Sequence, residues 1–220
     1  MTREHDEPAP RLPDRPMTRR PTRAELLTFE GAVVDDLVGA DVKLLFVGIN
    51  PGLWTAAVNA HFARPGNRFW PALFQGGIVP RLIDASAGMS TDDTLLLKRA
   101  GIGITNLVPY ASARADELTR AQLVAGGQRL RELVAEVHPR VVAMLGLTAY
   151  RQAFDRRATQ QGRQENDLEG SELWVLANPS GLNAHETAAS LATAYRRAAV
   201  AAGIAVSAVI DDQHGASRPR

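Results

Sequence analysis

The first residue placed to do chemistry is an amide. "GINPG" (48–52) closes an apolar run with a tight turn and sets Asn50 at its centre. Gly48, Gly52 and Pro51 stiffen that turn and let the backbone approach a ligand closely, with Asn50 projecting from a strand end. Alternatively, the Asn50 side chain satisfies the turn's own backbone, as asparagine commonly does. The loop is not a dinucleotide fingerprint, because G-x-G-x-x-G is absent, and no G-K-[ST] follows to make a phosphate loop. "NPSGL" (178–182) is not a nucleophile elbow either, since Asn178 stands where G-x-S-x-G requires glycine.

Three further stretches carry candidates, each with a plainer alternative. "NAHFARPGNRFW" (59–70) offers Phe62 as a stacking platform for a base and Asn67 as a bidentate amide, or else its aromatics are core residues where a helix starts. "NPSGLNAH" (178–185) puts Leu182 at a loop tip, suited to insertion between base steps or to capping the core. "STDDTLLLKRAG" (90–101) holds Asp92 and Asp93, which either complement a helix N-terminus or bring a carboxylate to the site.

Other chemistries are excluded or disfavoured by composition. The chain has no cysteine, which removes disulfides, thiolate nucleophiles and iron-sulfur clusters. Its five histidines, His5, His61, His138, His185 and His214, show no metal-ligand spacing. No metal and no cofactor is expected. Lysine occurs only at Lys43 and Lys98, neither in a glycine-rich or turn motif, which argues against Schiff-base chemistry.

Four nearly continuous apolar runs must position these loops: 42–49, 101–108, 140–146 and 172–178. Such runs suit parallel strands covered on both faces, and helix-like segments at 117–137 and 186–202 alternate with them. The pattern predicts a three-layer α/β/α domain with a four-stranded, mostly parallel sheet. Ligands bind beyond the carboxyl ends of such strands, so "GINPG", "NLVPY", "GLTAY" and "NPSGLNAH" should converge on one cleft. The polar stretch 155–171 reads as a surface excursion.

Residues 1–24, with six Arg, four acids and five Pro, read as a disordered basic arm; 25–204 read as one domain and 205–220 as a flexible tail. Beyond the arm the chain is nearly neutral, so a nucleic-acid partner must be gripped locally. No apolar run reaches membrane-span length and no signal peptide is visible. A cytoplasmic monomer, nucleoid-associated in a prokaryote, is expected.

The motifs "GINPG", "PGNRFW", "GIGITNLV", "AGGQRL" and "NPSGL", in this order from about Lys43 to Ala202, resemble the mismatch-specific uracil-DNA and thymine-DNA glycosylases of the uracil-DNA glycosylase superfamily. The resemblance implies hydrolysis of the N-glycosidic bond of a flipped-out uracil, or of thymine opposite guanine, in double-stranded DNA. It implies that Asn50 holds the attacking water; Asp93, read from its place before the second strand and not from the resemblance, would assist as the carboxylate that "GINPG" lacks. Gly48, Ile49, Gly52, Phe62, Asn67 and Asn106 would form the base pocket, and Asn178, Ser180, Gly181, Leu182 and Asn183 the loop that enters the duplex. Relatives place lysine where Asn106 stands, which favours uracil here, and arginine where Ala184 stands, which weakens contact with the opposite guanine. A different class of protein remains open: a non-catalytic binder of mismatches or abasic sites that recruits repair factors.

Overall fold

The computed structural model describes residues 20–208. Most of the 1–24 arm lies outside them, but its last residues already belong to the folded body. Thr22 caps helix α1 (Arg23–Leu27): its hydroxyl accepts from the Glu25 N–H, and the Glu25 carboxylate accepts from the Thr22 N–H. At the other end, residues 209–220 of the expected tail are outside the description, whereas the Ser207 N–H donates to Gly77 O and ties the chain down.

The central sheet is built from β1 (Leu44–Gly48), β2 (Ile102–Asn106), β3 (Val141–Leu145), β4 (Gly162–Arg163) and β5 (Glu172–Leu176), in the order β2-β1-β3-β5-β4. β2, β1, β3 and β5 run parallel to one another, and β4 is antiparallel to β5. The sheet therefore has five strands, not four. β4 lies inside the stretch read as a surface excursion, and two residues are too few to show a strand period. Ending the sheet on so short a strand, with an arginine in it, leaves little edge for another chain to pair with.

Alternate residues explain the continuous apolar runs. Leu44, Phe46, Ile104 and Ala143 face one core cluster, shared with α3 (Phe69–Gln75), α4 (Thr91–Ala100) and α7 (Ala188–Ala201). Leu45, Val47, Val142 and Met144 face the other, against α5 (Arg120–Val137) and α6 (Leu147–Ala153). Both faces are dry, so neither can afford a polar alternation. The "AGGQRL" motif sits in α5, where a Cβ on Gly126 would lie 2.5 Å from the Leu107 carbonyl oxygen. Glycine there lets the helix backbone lie directly on the chain leaving β2. The remaining helix, α2 (Leu53–Val58), follows the "GINPG" turn.

Candidate active site

The strand order reverses between β1 and β3, and a cleft of about 940 Å³ opens at the carboxyl ends there, the position where doubly wound sheets bind ligands. The turns after β1, β2 and β5 meet in it. The third expected loop does not: β3 contributes Leu145 alone, because α6 begins one residue after Gly146 and carries "GLTAY" away.

Asn50 is half-buried in this cleft, and its amide orientation is fixed by its neighbours. Nδ2 donates to Ser112 Oγ at 2.8 Å and to Pro51 O at 3.1 Å. A main-chain carbonyl can only accept, and the Ser112 hydroxyl spends its proton on Arg114 O at 2.8 Å, so both contacts require nitrogen. The oxygen, Oδ1, has no partner among the described residues and is left to the cleft. The two sequence readings of Asn50 are thus both realised, one by each end of the same amide. Replacing Ser112 with alanine should free this amide to rotate. Loss of one such hydrogen bond, about 1 kcal/mol, would slow the base release expected from the sequence resemblance roughly five- to tenfold in single-turnover assays with little change in melting temperature.

Asn106 ends β2, buried, and its side chain is aimed by a residue the motifs did not single out. His61, also buried, lies with Nε2 2.9 Å from Asp35 O, which fixes the proton on that nitrogen. Burial holds the His61 pKa below its ordinary value, and the neutral ring therefore presents a bare Nδ1. Asn106 Nδ2 donates to it at 3.3 Å. The amide oxygen is thereby turned over Gly48, where a Cβ would meet it at 2.4 Å. Arg129 supports the same residue from behind, donating to Asn106 O at 2.9 Å while pairing with Asp36.

The titration of His61 has a testable sign. Its folded pKa lies below the unfolded value of about 6.5, so it contributes stability that is complete above that pH and lost as pH falls toward the folded value. Protonation would also put a second donor against the Asn106 N–H group. The base release expected from the resemblance should hold steady through neutrality and fall only below the usual histidine range. The rate–pH profile of His61→Gln, which cannot titrate, should lack that acidic limb.

Phe62 lines the cleft half-buried, stacked on Phe69 with centroids 4.0 Å apart. Its backbone sits at φ 55°, a costly conformation for an aromatic residue. One face of the ring thus belongs to the core and the rest to the cleft. Phe69 and Trp70 are buried core, and the Trp70 indole N–H donates to His61 O at 3.1 Å. Asn67 accepts at Oδ1 from the Phe69 N–H at 2.9 Å, which leaves its Nδ2 to the cleft. Ile49 and Gly52 complete this wall.

Leu182 is 76% exposed at the cleft rim and does not cap the core. Its loop is braced from outside the motif by Arg68, whose guanidinium donates to Ser180 O at 2.9 Å, Asn183 O at 3.0 Å and Gly181 O at 3.4 Å. Asn178 Oδ1 accepts from the Ser180 N–H at 2.8 Å, and Asn183 Nδ2 donates to Asn178 O at 3.2 Å. Ser180 Oγ accepts from the Leu182 N–H at 3.3 Å. Asn178 and Ser180 line the cleft; Gly181 and Asn183 do not, and the Asn183 amide is committed to the loop's own shape.

Asp93 does not line the cleft. It is buried in the first turn of α4, where Oδ2 accepts from Ser90 Oγ at 2.6 Å and Oδ1 faces Arg81 Nη1 at 2.5 Å. The Ser90 hydroxyl accepts from the Asp93 N–H at 3.0 Å, closing the cap. The expectation that Asp93 supplies a carboxylate beside Asn50 is corrected: its charge is already matched by a helix N-terminus and an arginine. No group of three or more His, Asp or Glu side chains among the described residues is arranged to hold a metal ion.

The fold and site together define a three-layer α/β/α protein with an amide-lined cleft at the switch point of a parallel sheet, in which the carboxylates of Asp116 and Glu117 are engaged by Arg114. Residues 36–201 match the model of the uracil DNA glycosylase superfamily, and the chain belongs to that superfamily. It is also similar to the solution NMR structure of a protein from Methanosarcina acetivorans provisionally designated a uracil DNA glycosylase, at 16% identity and a TM-score of 0.48 over 77% of this chain and 97% of that one.

Proposed function

We propose that this protein is a monofunctional DNA glycosylase that removes uracil from DNA, acting on uracil opposite guanine and, more slowly, on thymine opposite guanine. The observation that carries the reading is the Asn50 amide, locked by Ser112 and Pro51 with its oxygen toward the cleft. Breaking the glycosidic bond develops positive character on the deoxyribose and negative charge on the base. The bond's electron pair leaves with the base nitrogen while a water oxygen bonds to the sugar's anomeric carbon, and the proton that this water then sheds is balanced by protonation of the departed base anion. In so dissociative a step the water needs little deprotonation before it attacks, and orientation by an acceptor oxygen is enough.

Burden then falls on the leaving base. The Asn106 amide, set by His61, offers an acceptor and an N–H to the polar edge of uracil, and Phe62 offers a ring to stack on. Thymine adds a methyl group to a pocket already narrowed by Asn106 and Phe62 over Gly48, which favours uracil. Leu182, exposed on a loop stiffened by Arg68, suits a wedge that fills the space left by the flipped nucleotide. Lyase chemistry is not expected, since neither lysine lines the cleft.

Single-turnover assays on duplexes with uracil opposite guanine, uracil opposite adenine and thymine opposite guanine, and on single-stranded uracil DNA, test this. Alkali-labile abasic product should form fastest with uracil opposite guanine, and no strand break should appear before alkali. Tight binding without base release from any of these substrates would instead make the chain a mismatch-binding protein.

A further inference from the structure

We propose that a groove at the amino-terminal edge of the sheet docks an acidic peptide segment of a partner protein, one carrying an apolar side chain beside its carboxylates. The groove, of about 680 Å³, opens between the end of α4, the start of β1 and the junction of α5 with β3. It lies at the opposite end of the strands from the cleft. Both lysines of the chain, Lys43 and Lys98, meet there, together with Arg99, Arg140 and His138. Asp41 is its only carboxylate.

Among the described residues, none of the four permanent cations in this groove forms an ion pair, whereas Arg81, Arg114, Arg120, Arg129, Arg131 and Arg163 all do. The plainer account is that these cations complement the carbonyl ends of α4 and α5, which terminate at Ala100 and Val137. Each helix end carries only about half a negative charge, so the two together offset about one cation. Asp41 offsets another, which leaves about half of the groove's positive charge uncompensated, on a body that as a whole is nearly neutral.

The apolar content decides the kind of anion. Leu95 borders the groove at 41% exposure, and half-buried Val137 lies on its other side. A nucleic-acid backbone has nothing to bury against them; an acidic peptide with a leucine or phenylalanine does. Because the cleft opens at the far end of the strands, such a segment could stay bound while DNA is engaged.

Fluorescence anisotropy of the full chain with a labelled peptide of four aspartates followed by leucine and phenylalanine tests this without reference to glycosylase activity. Saturable binding is expected, weakened about tenfold by Lys43→Glu with Lys98→Gln and again by raised salt. Arg99→Gln with Arg140→Gln, on the exposed rim, should act the same way in protein whose circular dichroism matches the parent. Leu95→Ala should also weaken binding, and base release should be unchanged in every variant. Equal binding of the four-asparagine analogue, or parent-like binding by both charge variants, would overturn the proposal. So would displacement by undamaged duplex together with loss of duplex affinity in those variants, which would make the groove a phosphate site. Binding that appears only after removal of residues 209–220, which include Asp211 and Asp212, would make the chain's own end the occupant and overturn a partner in trans.

Discussion

Replacing Asn50 by alanine is expected to slow base release from uracil-containing duplex by on the order of 10²-fold or more while leaving DNA affinity and thermal stability near those of the parent. The amide is half-buried and lines the cleft, so truncation removes chiefly an oriented acceptor. Asp93→Ala is the informative companion. It removes a capping partner and strands Arg81, costing stability on the order of 1 kcal/mol, yet should retain the parent's rate because the carboxylate lies outside the cleft. Measured as single-turnover rates beside melting temperatures, the two variants should fall in opposite corners. A fully active Asn50→Ala with an inactive Asp93→Ala would sink the proposed role of the amide.

The second large effect comes from a single methyl group. A Cβ at Gly48 would lie 2.4 Å from Asn106 Oδ1 and 3.3 Å from Phe62 Cζ. Neither neighbour yields easily, since Asn106 is held by His61 and Arg129 and Phe62 is stacked on Phe69. Gly48→Ala should therefore push the base-facing amide out of place by about 1 Å, with a rate loss of roughly 10²-fold, and overpack the site by about 1–3 kcal/mol. Gly52→Ala provides the contrast. At Gly52 a Cβ meets nothing within 4 Å and φ is −78°, an ordinary value for alanine. That variant should remain folded and active, which separates the two glycines of one motif by their surroundings rather than their type. Near-parent uracil excision by Gly48→Ala would show that Asn106 does not need its observed position.

Much of the fold was legible in the chain. The parallel strands β1, β2, β3 and β5 announce themselves as unbroken apolar runs because helices cover both faces of the sheet. β4 was not legible, because a two-residue edge strand exists only by virtue of the β5 backbone beside it. The folded body starts earlier than composition indicates for a similar reason: composition averages over a window, whereas the Thr22 cap is a local geometry. Within the site, Asn50, Phe62, Asn67 and Asn106 could be named from motif order. His61, Ser112 and Arg68 could not, since their partners lie 45, 62 and more than 100 residues away and the contacts have no local pattern.

What the sequence determined by itself, then, is the inventory and its coarse address: apolar runs long enough to bury a sheet, and amides, an aromatic and a leucine at the turns that must follow those strands. Which end of each amide meets the cleft was decided only by the tertiary structure. An amide is chemically two-faced, and its direction is fixed by whether packing brings a committed acceptor or a bare ring nitrogen within hydrogen-bonding reach, as Ser112 Oγ, its proton given to Arg114 O, does for Asn50 and neutral His61 does for Asn106. The fate of Asp93 was settled the same way, by an arginine and a helix end that folding placed closer to it than the cleft.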